Sequence, residues 1–179
     1  MECLSRMEAA HFERMRRPMP KRVAATGDQL ALRREVARLS HEGRHAEAAA
    51  ILEEILLARP KNPLIWNDLG VALDAMGETE RAITAFRRGI ALSGPAYPPL
   101  RFHLARLQLE AFLRETDVAS RKTEAAKAAL AEIVTQLNAS LDGDPENAEA
   151  HRLLAVTYEL LQRDDLAALH GEVARRMSS

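Results

Sequence analysis

The chain has 179 residues, a formal net charge of −1, and a composition that is 47% hydrophobic but only 4% aromatic. This length can bury a core as one domain, and a charge so close to neutral gives no overall field to attract nucleic acid or an anionic membrane. Cys3 is the only cysteine, which excludes an internal disulfide and fits a reducing compartment.

No apolar run approaches the roughly 18 residues that a membrane span needs. Charged residues interrupt residues 1–17, so a continuous secretion-signal core is missing there. We therefore expect a cytoplasmic protein without a membrane span.

Residues 1–27 are predicted to be a flexible basic leader. Arginine and lysine side chains crowd residues 14–22, and Pro18 and Pro20 interrupt any helix there. Two interpretations stay open: a solvated leader, which we favour, or a tail that binds nucleic acid or a membrane surface. Whether residues 1–18 belong to the native protein is also open, because Met19 can serve as a start.

From residue 28 onward a fixed offset of 34 residues organises the chain. The first copy, Leu32, Leu39, Gly43, Ala48 and Leu52, falls on Trp66, Leu73, Gly77, Ala82 and Phe86 of the second copy. A third copy begins on the same count with Leu100 and Leu107. This period is typical of helix–turn–helix units that stack, because one helix pair cannot bury both of its faces alone.

The first two predicted helix pairs share one design. The first helix starts at the N-cap Asp28 and stops at the turn residue Gly43. The remaining predicted helices are residues 46–58, 63–76 and 79–92, with a second turn at Gly77 and a closing Gly94-Pro95. Glycine suits both turns because a helix C-terminus often continues through a residue with positive φ.

The third predicted pair is elongated. Its first helix runs from about residue 98 to 115, and Thr116-Asp117 is expected to cap a long second helix over residues 118–141. The extension is either a functional contact or a tolerated insertion, and we favour the insertion. A fourth pair is predicted over residues 148–161 and 165–177, with a turn at 162–164.

The second copy resembles the tetratricopeptide repeat. It carries Trp66-x-x-Leu69-Gly70-x-x-Leu73, then Ala82-x-x-x-Phe86. The fourth pair is similar, with matches at Leu154, Ala155, Tyr158 and Ala167, but with His151 in the Trp position and Gly171 in the Phe position. The resemblance covers about residues 29–177. It implies an all-α solenoid of about four antiparallel helix pairs, a right-handed superhelix whose first helices line a concave groove.

The resemblance also implies which side chains line that groove. They are Arg33, Ala37, Asn67, Val71, Asp74, Arg101, Ala105, Gln108, Arg152 and Val156. The arginines would form a cationic edge and the small apolar residues a floor. Such a groove suits an extended or helical segment of a partner that carries an acidic group, since arginine can hold a carboxylate with two hydrogen bonds. The alternative is that the arginines form an ordinary solvated helix face.

Residues 41–45, His-Glu-Gly-Arg-His, match the pattern of zinc proteases letter for letter. That chemistry needs both histidines on one face of a continuous helix, with the glutamate as general base. Since Gly43 is expected to be a turn residue, the helix is expected to break between them. We therefore predict no metal site, no cofactor and no catalysis.

The resulting prediction is a tetratricopeptide-repeat adaptor or scaffold that binds a protein or peptide in its groove, over residues 28–179. No small-molecule substrate and no nucleic acid are expected. Two alternatives remain: nucleic-acid or membrane-surface binding through the basic tail, or a structural role as a subunit of a larger assembly.

Overall fold

The computed structural model describes residues 29–94, 97–117 and 120–178. The predicted leader, the N-cap Asp28, Pro95 and the first two residues of the predicted helix 118–141 lie outside these ranges. The chain divides into two structural units between Glu35 and Val36, so residues 29–35 and 36–178 are treated separately.

Eight α-helices account for most of the described residues, which contain no β-strand. They are α1 (Gln29–His41), α2 (His45–Ala58), α3 (Pro63–Ala75), α4 (Thr79–Ser93), α5 (Pro98–Glu115), α6 (Glu124–Leu141), α7 (Ala148–Leu160) and α8 (Asp164–Met177). None of these helices combines the length and apolar character needed to cross a membrane. The predicted all-α fold is confirmed.

Within each of three helix pairs the turn passes through one residue with positive φ. Gly43 and Gly77 have φ of 73° and 75°, as predicted, and Gln162 takes the same role in the last pair with φ of 58°. The amide after each of these residues reaches back to a helix carbonyl; Glu78, for example, donates to Leu73 at 2.9 Å. These bonds satisfy carbonyl groups that the helix end leaves exposed.

The predicted start of the long helix of the third pair is wrong. Asp117 instead accepts a hydrogen bond of 3.0 Å from the amide of Ser120, at the start of a 3-10 turn over Ser120–Lys122. Helix α6 begins only at Glu124, where the hydroxyl of Thr123 accepts from the amide of Ala126 at 3.2 Å. The sequence therefore holds two successive capping signals, and the second one starts the helix.

From α2 to α8, each helix packs on its neighbours in chain order. The pairs α3–α4, α5–α6 and α7–α8 pack internally, α2–α3, α4–α5 and α6–α7 join successive pairs, and α5 also contacts both α3 and α7. The core is filled by aliphatic side chains and one ring, Phe86, which is fully buried. The first helices α3, α5 and α7 therefore lie side by side, which positions the candidate site.

Two helical glycines leave room for buried side chains of the neighbouring helix. A Cβ at Gly70 would lie 2.4 Å from the Phe86 ring, and a Cβ at Gly89 would lie 2.6 Å from Leu100. The first contact joins α3 to α4, and the second joins α4 to α5. These glycines serve packing rather than backbone conformation, since neither has a positive φ.

Candidate protein-binding face

The predicted groove residues between positions 67 and 156 lie on the three adjacent helices α3, α5 and α7, and we call this surface the first-helix face. Its α3 part carries Asn67, which is 8% exposed, and Val71, which is 40% exposed. The Asn67 amide nitrogen donates to Asp68 at 3.4 Å. Its Oδ1 accepts no hydrogen bond from the described residues.

The α5 part of the first-helix face differs from the prediction. Ala105 is fully buried in a cluster with Leu130 and Leu154, so its side chain is not accessible to a partner and does not form part of the groove floor. Arg101 is also engaged, because its guanidinium donates to Gln136 at 2.8 Å and to the carbonyl of Gly94 at 3.5 Å. The long helix α6 is the reason, since Gln136 and the cluster residue Leu130 both belong to it.

Gln108 is held by α6 in a similar way. Its side-chain nitrogen donates to Glu132 at 3.4 Å, and its buried Oε1 has no hydrogen-bond partner among the described residues. The α5 side chains predicted to receive a ligand are thus directed largely toward α6.

An ion pair between α3 and α5 was missed by sequence reasoning. Arg106 binds Asp74 and also pairs with Glu110 at 2.7 Å. Burial works to lower the pKa of Arg106, but its hydrogen bonds to Asp74 and Glu110 outweigh burial, so the pKa is raised. The spacing of Arg106 and Glu110 is a visible helical signal. The contact with Asp74 depends on the packing of two helices.

The α7 part is more open. Arg152 is exposed, pairs with Glu149, and donates to the hydroxyl of Ser178 at 2.7 Å. Val156, one turn further, is 38% exposed. The remaining predicted residues, Arg33 and Ala37, are exposed on α1, and Arg33 belongs to the first unit. Within the second unit, Arg101 is engaged by α6, whereas Arg152 is exposed.

His103 lies between α4 and α5. Its ring stacks on Phe86 with centroids 5.3 Å apart, and burial, followed by the charge of Arg106, lowers its pKa from 6.5 to about 4. The side chain is therefore neutral near pH 7 and acts as a packing group.

A pair of histidines joins α7 to α8, and sequence reasoning missed it. In the second helix pair, the indole of Trp66 donates a hydrogen bond to the carbonyl of Pro60 at 2.8 Å. His151 occupies the equivalent position of the last pair and places its Nε2 3.2 Å from the carbonyl of Pro145. Its Nδ1 lies 2.8 Å from Nδ1 of His170. Burial, and then the charge of His151, lowers the pKa of His170.

The two histidines of the zinc-protease pattern lie on different helices. Helix α1 ends at His41 and α2 begins at His45, with Gly43 at φ of 73° between them. Among the described residues, no group of three or more histidine, cysteine, aspartate or glutamate side chains is arranged to hold a metal ion.

Stacked helix pairs with positive-φ turns and glycine-mediated contacts define an α-helical repeat protein. Residues 39–93 and residues 115–179 each match a family model described as Tetratricopeptide repeat. The two matches together span more than half of the chain, which belongs to the tetratricopeptide repeat family. Proteins of this family are in general protein-interaction scaffolds.

Solved structures agree on the fold. The chain is similar to a thermophilic TPR protein of Thermus thermophilus, TTC0263, with 20% identity, a TM-score of 0.65, and coverage of 83% of this chain and 73% of that one. It is also similar to a chain of a T3SS complex from Aeromonas hydrophila, with 19% identity, a TM-score of 0.52, and coverage of 96% and 95%. A search of curated protein sequences gives no significant match.

Proposed function

We propose that this protein is a non-catalytic adaptor that binds a segment of a partner protein across the first-helix face. The main support for this proposal is that two valines at equivalent positions of α3 and α7 are exposed, Val71 to 40% and Val156 to 38%. Exposed branched apolar side chains gain from contact with an apolar group of a partner. They supply the small apolar anchor points that the sequence predicts.

Asn67, one helical turn before Val71, is not a contact of the bound segment in this proposal. Only 8% of this residue is exposed, and its Oδ1 is buried. A partner on the first-helix face therefore meets Val71 on α3, and Asn67 lies beneath the contact surface.

An acidic group on the partner would be bound at α7 rather than along a row of arginines. The exposed ion pair of Arg152 with Glu149 contributes little to stability, so a carboxylate of the partner can take the place of Glu149. Arg101 is unsuited to this role because it already donates to Gln136 and Gly94. We therefore expect only a moderate preference for acidic segments.

The test begins with a displayed library of random peptides, selected on the full chain. Affinities of the selected synthetic peptides are then measured by calorimetry. A Val71→Glu, Val156→Glu double variant should bind at least about tenfold more weakly, a loss of about 1.4 kcal/mol. The matched control is Leu169→Glu on α8, which changes a residue that is 54% exposed on a second helix.

Arg152→Glu should weaken only the peptides that contain an acidic residue. If all selected peptides bind the double valine variant as tightly as the unmodified chain, the first-helix face is not the binding surface.

A further inference from the structure

The last helix pair has an open cleft between α7 and α8, with a volume of about 440 Å³. Its floor consists of small residues, including Ala155, Ala167 and Gly171, and its rim carries Glu159 and Asp164. No ion pair within the described ranges involves either of these two acidic residues. The cleft therefore combines an apolar depression with two carboxylates that form no ion pair among the described residues.

The second helix pair shows how the equivalent surface is used inside this protein. There Phe86 fills the space above Gly70, and helix α5 packs against it. Helix α5 places His103 on the Phe86 ring at a centroid distance of 5.3 Å and binds Asp74 through Arg106. One helix thus covers the surface with a flat side chain and, three residues later, a cation.

The repeat register places the cleft on that same surface of the last pair. Glu159 occupies the position of Asp74, and Gly171 occupies the position of Phe86. The last pair therefore keeps an acidic residue at the position of Asp74, but it has no aromatic ring at the position of Phe86 to fill the space between its two helices. A Cβ at Gly171 would meet only the Ala155 Cβ, at 3.9 Å, so the space is open.

We infer that the cleft of the last helix pair is a second docking surface, which takes one helix of a partner protein. That helix brings a bulky apolar side chain into the space above Gly171 and, three residues later, an arginine or lysine to Glu159. Charge complementarity favours this occupant, because the carboxylates of Glu159 and Asp164 lie at the end of the cleft where the arginine or lysine of the partner helix would bind. Arg175 lines the other end and disfavours the reversed orientation.

The probe is a fluorescein-labelled synthetic peptide of residues 98–115 with the change His103→Phe, which reproduces the helix that covers the second pair. Its binding to the full chain is followed by fluorescence anisotropy. We expect saturable binding that weakens at least about tenfold with Glu159→Lys or Gly171→Leu in the protein. The matched control is Glu172→Lys, an exposed residue of α8 that does not line the cleft.

A charge exchange sharpens the test. The same peptide with Arg106→Glu should bind the unmodified chain poorly and bind the Glu159→Lys variant well. Such a rescue requires that the two side chains meet. Far-UV circular dichroism checks folding, and if Gly171→Leu does not fold, the exchange at Glu159 decides alone.

Three results would overturn the inference: no saturable binding, equal affinity for all variants, or self-association of the chain that Glu159→Lys abolishes. The last result would assign the cleft to a second copy. Val71→Glu on α3 should leave the affinity of this probe unchanged, so failure here is distinguishable from failure of the first-helix face.

Discussion

Replacing Gly70 with alanine should lower the free energy of unfolding by about 1–2 kcal/mol, although alanine is the better helix former. The new Cβ would lie 2.4 Å from Cε1 and 2.7 Å from Cδ1 and Cζ of Phe86. Carbon atoms in contact prefer roughly 3.5–4.0 Å. The ring is fully buried, so it cannot move aside without disturbing its neighbours.

The magnitude follows from two opposing effects. Adding a methyl group to a well-packed core costs about 1–3 kcal/mol, and a contact of 2.4 Å with a buried ring places Gly70 in the upper part of that range, at about 2–3 kcal/mol. The change from glycine to alanine in a helix returns about 1 kcal/mol, which leaves a net cost of about 1–2 kcal/mol. The matched substitution Gly171→Ala meets only Ala155, at 3.9 Å. The gain in helix propensity is therefore not offset by a steric clash, and we expect this substitution to stabilise the protein by roughly 0.5–1 kcal/mol.

Urea unfolding followed by far-UV circular dichroism and Trp66 fluorescence measures both free energies. A double-mutant cycle with Phe86→Leu completes the experiment, since the smaller side chain should remove most of the penalty at Gly70. If Gly70→Ala stabilises the protein as much as Gly171→Ala does, the close packing of α3 on α4 is refuted.

Three further predictions concern a turn, a titrating group and an ion pair. Gly77→Ala should cost about 1 kcal/mol in urea unfolding, because φ of 75° strains a residue that has a Cβ; Gly77→Asn should cost less. Because burial holds the pKa of His103 at about 4, the folded state binds fewer protons than the unfolded chain as the pH falls from 6.5 toward 4, so stability should decrease over that window. His103→Gln should flatten this pH profile, and an unchanged slope would contradict the assignment. A double-mutant cycle of Asp74→Ala and Arg106→Ala should give a coupling of about 1 kcal/mol that decreases with added salt; no coupling would show that the pair is not formed in solution.

The repeat organisation could be predicted from local signals. Gly43 and Gly77, one period apart, predict turns, and Leu73 and Phe86 predict buried positions of a helix pair. These signals are readable because the 3.6-residue helical period and positive φ depend on neighbours in sequence. The turn predicted at Gly43 also placed His41 and His45 on different helices, as the structure shows.

The composition of the candidate site was only partly predictable. Val71 and Val156 are exposed, whereas Ala105, at the corresponding position of the third pair, is buried against α6. Arg152 is exposed, whereas Arg101, at its corresponding position, donates to Gln136 of α6. Equivalent repeat positions become inequivalent when one helix of a pair is longer. The start of α6 was also mispredicted, because Thr116-Asp117 and Thr123 are both valid capping signals.

The sequence by itself determined the class of the fold, the number of helix pairs and the turns at Gly43 and Gly77, because the helical period and a positive-φ turn depend on residues close together in the chain. Only the tertiary structure decided that Arg106 binds Asp74, that His151 meets His170, and that Gly171 leaves a cleft instead of a filled core. Those contacts join residues on different helices. The geometry of these contacts depends on the distance between neighbouring helices. A glycine in the interface or a longer neighbouring helix changes this distance without changing the pattern of apolar residues along the sequence.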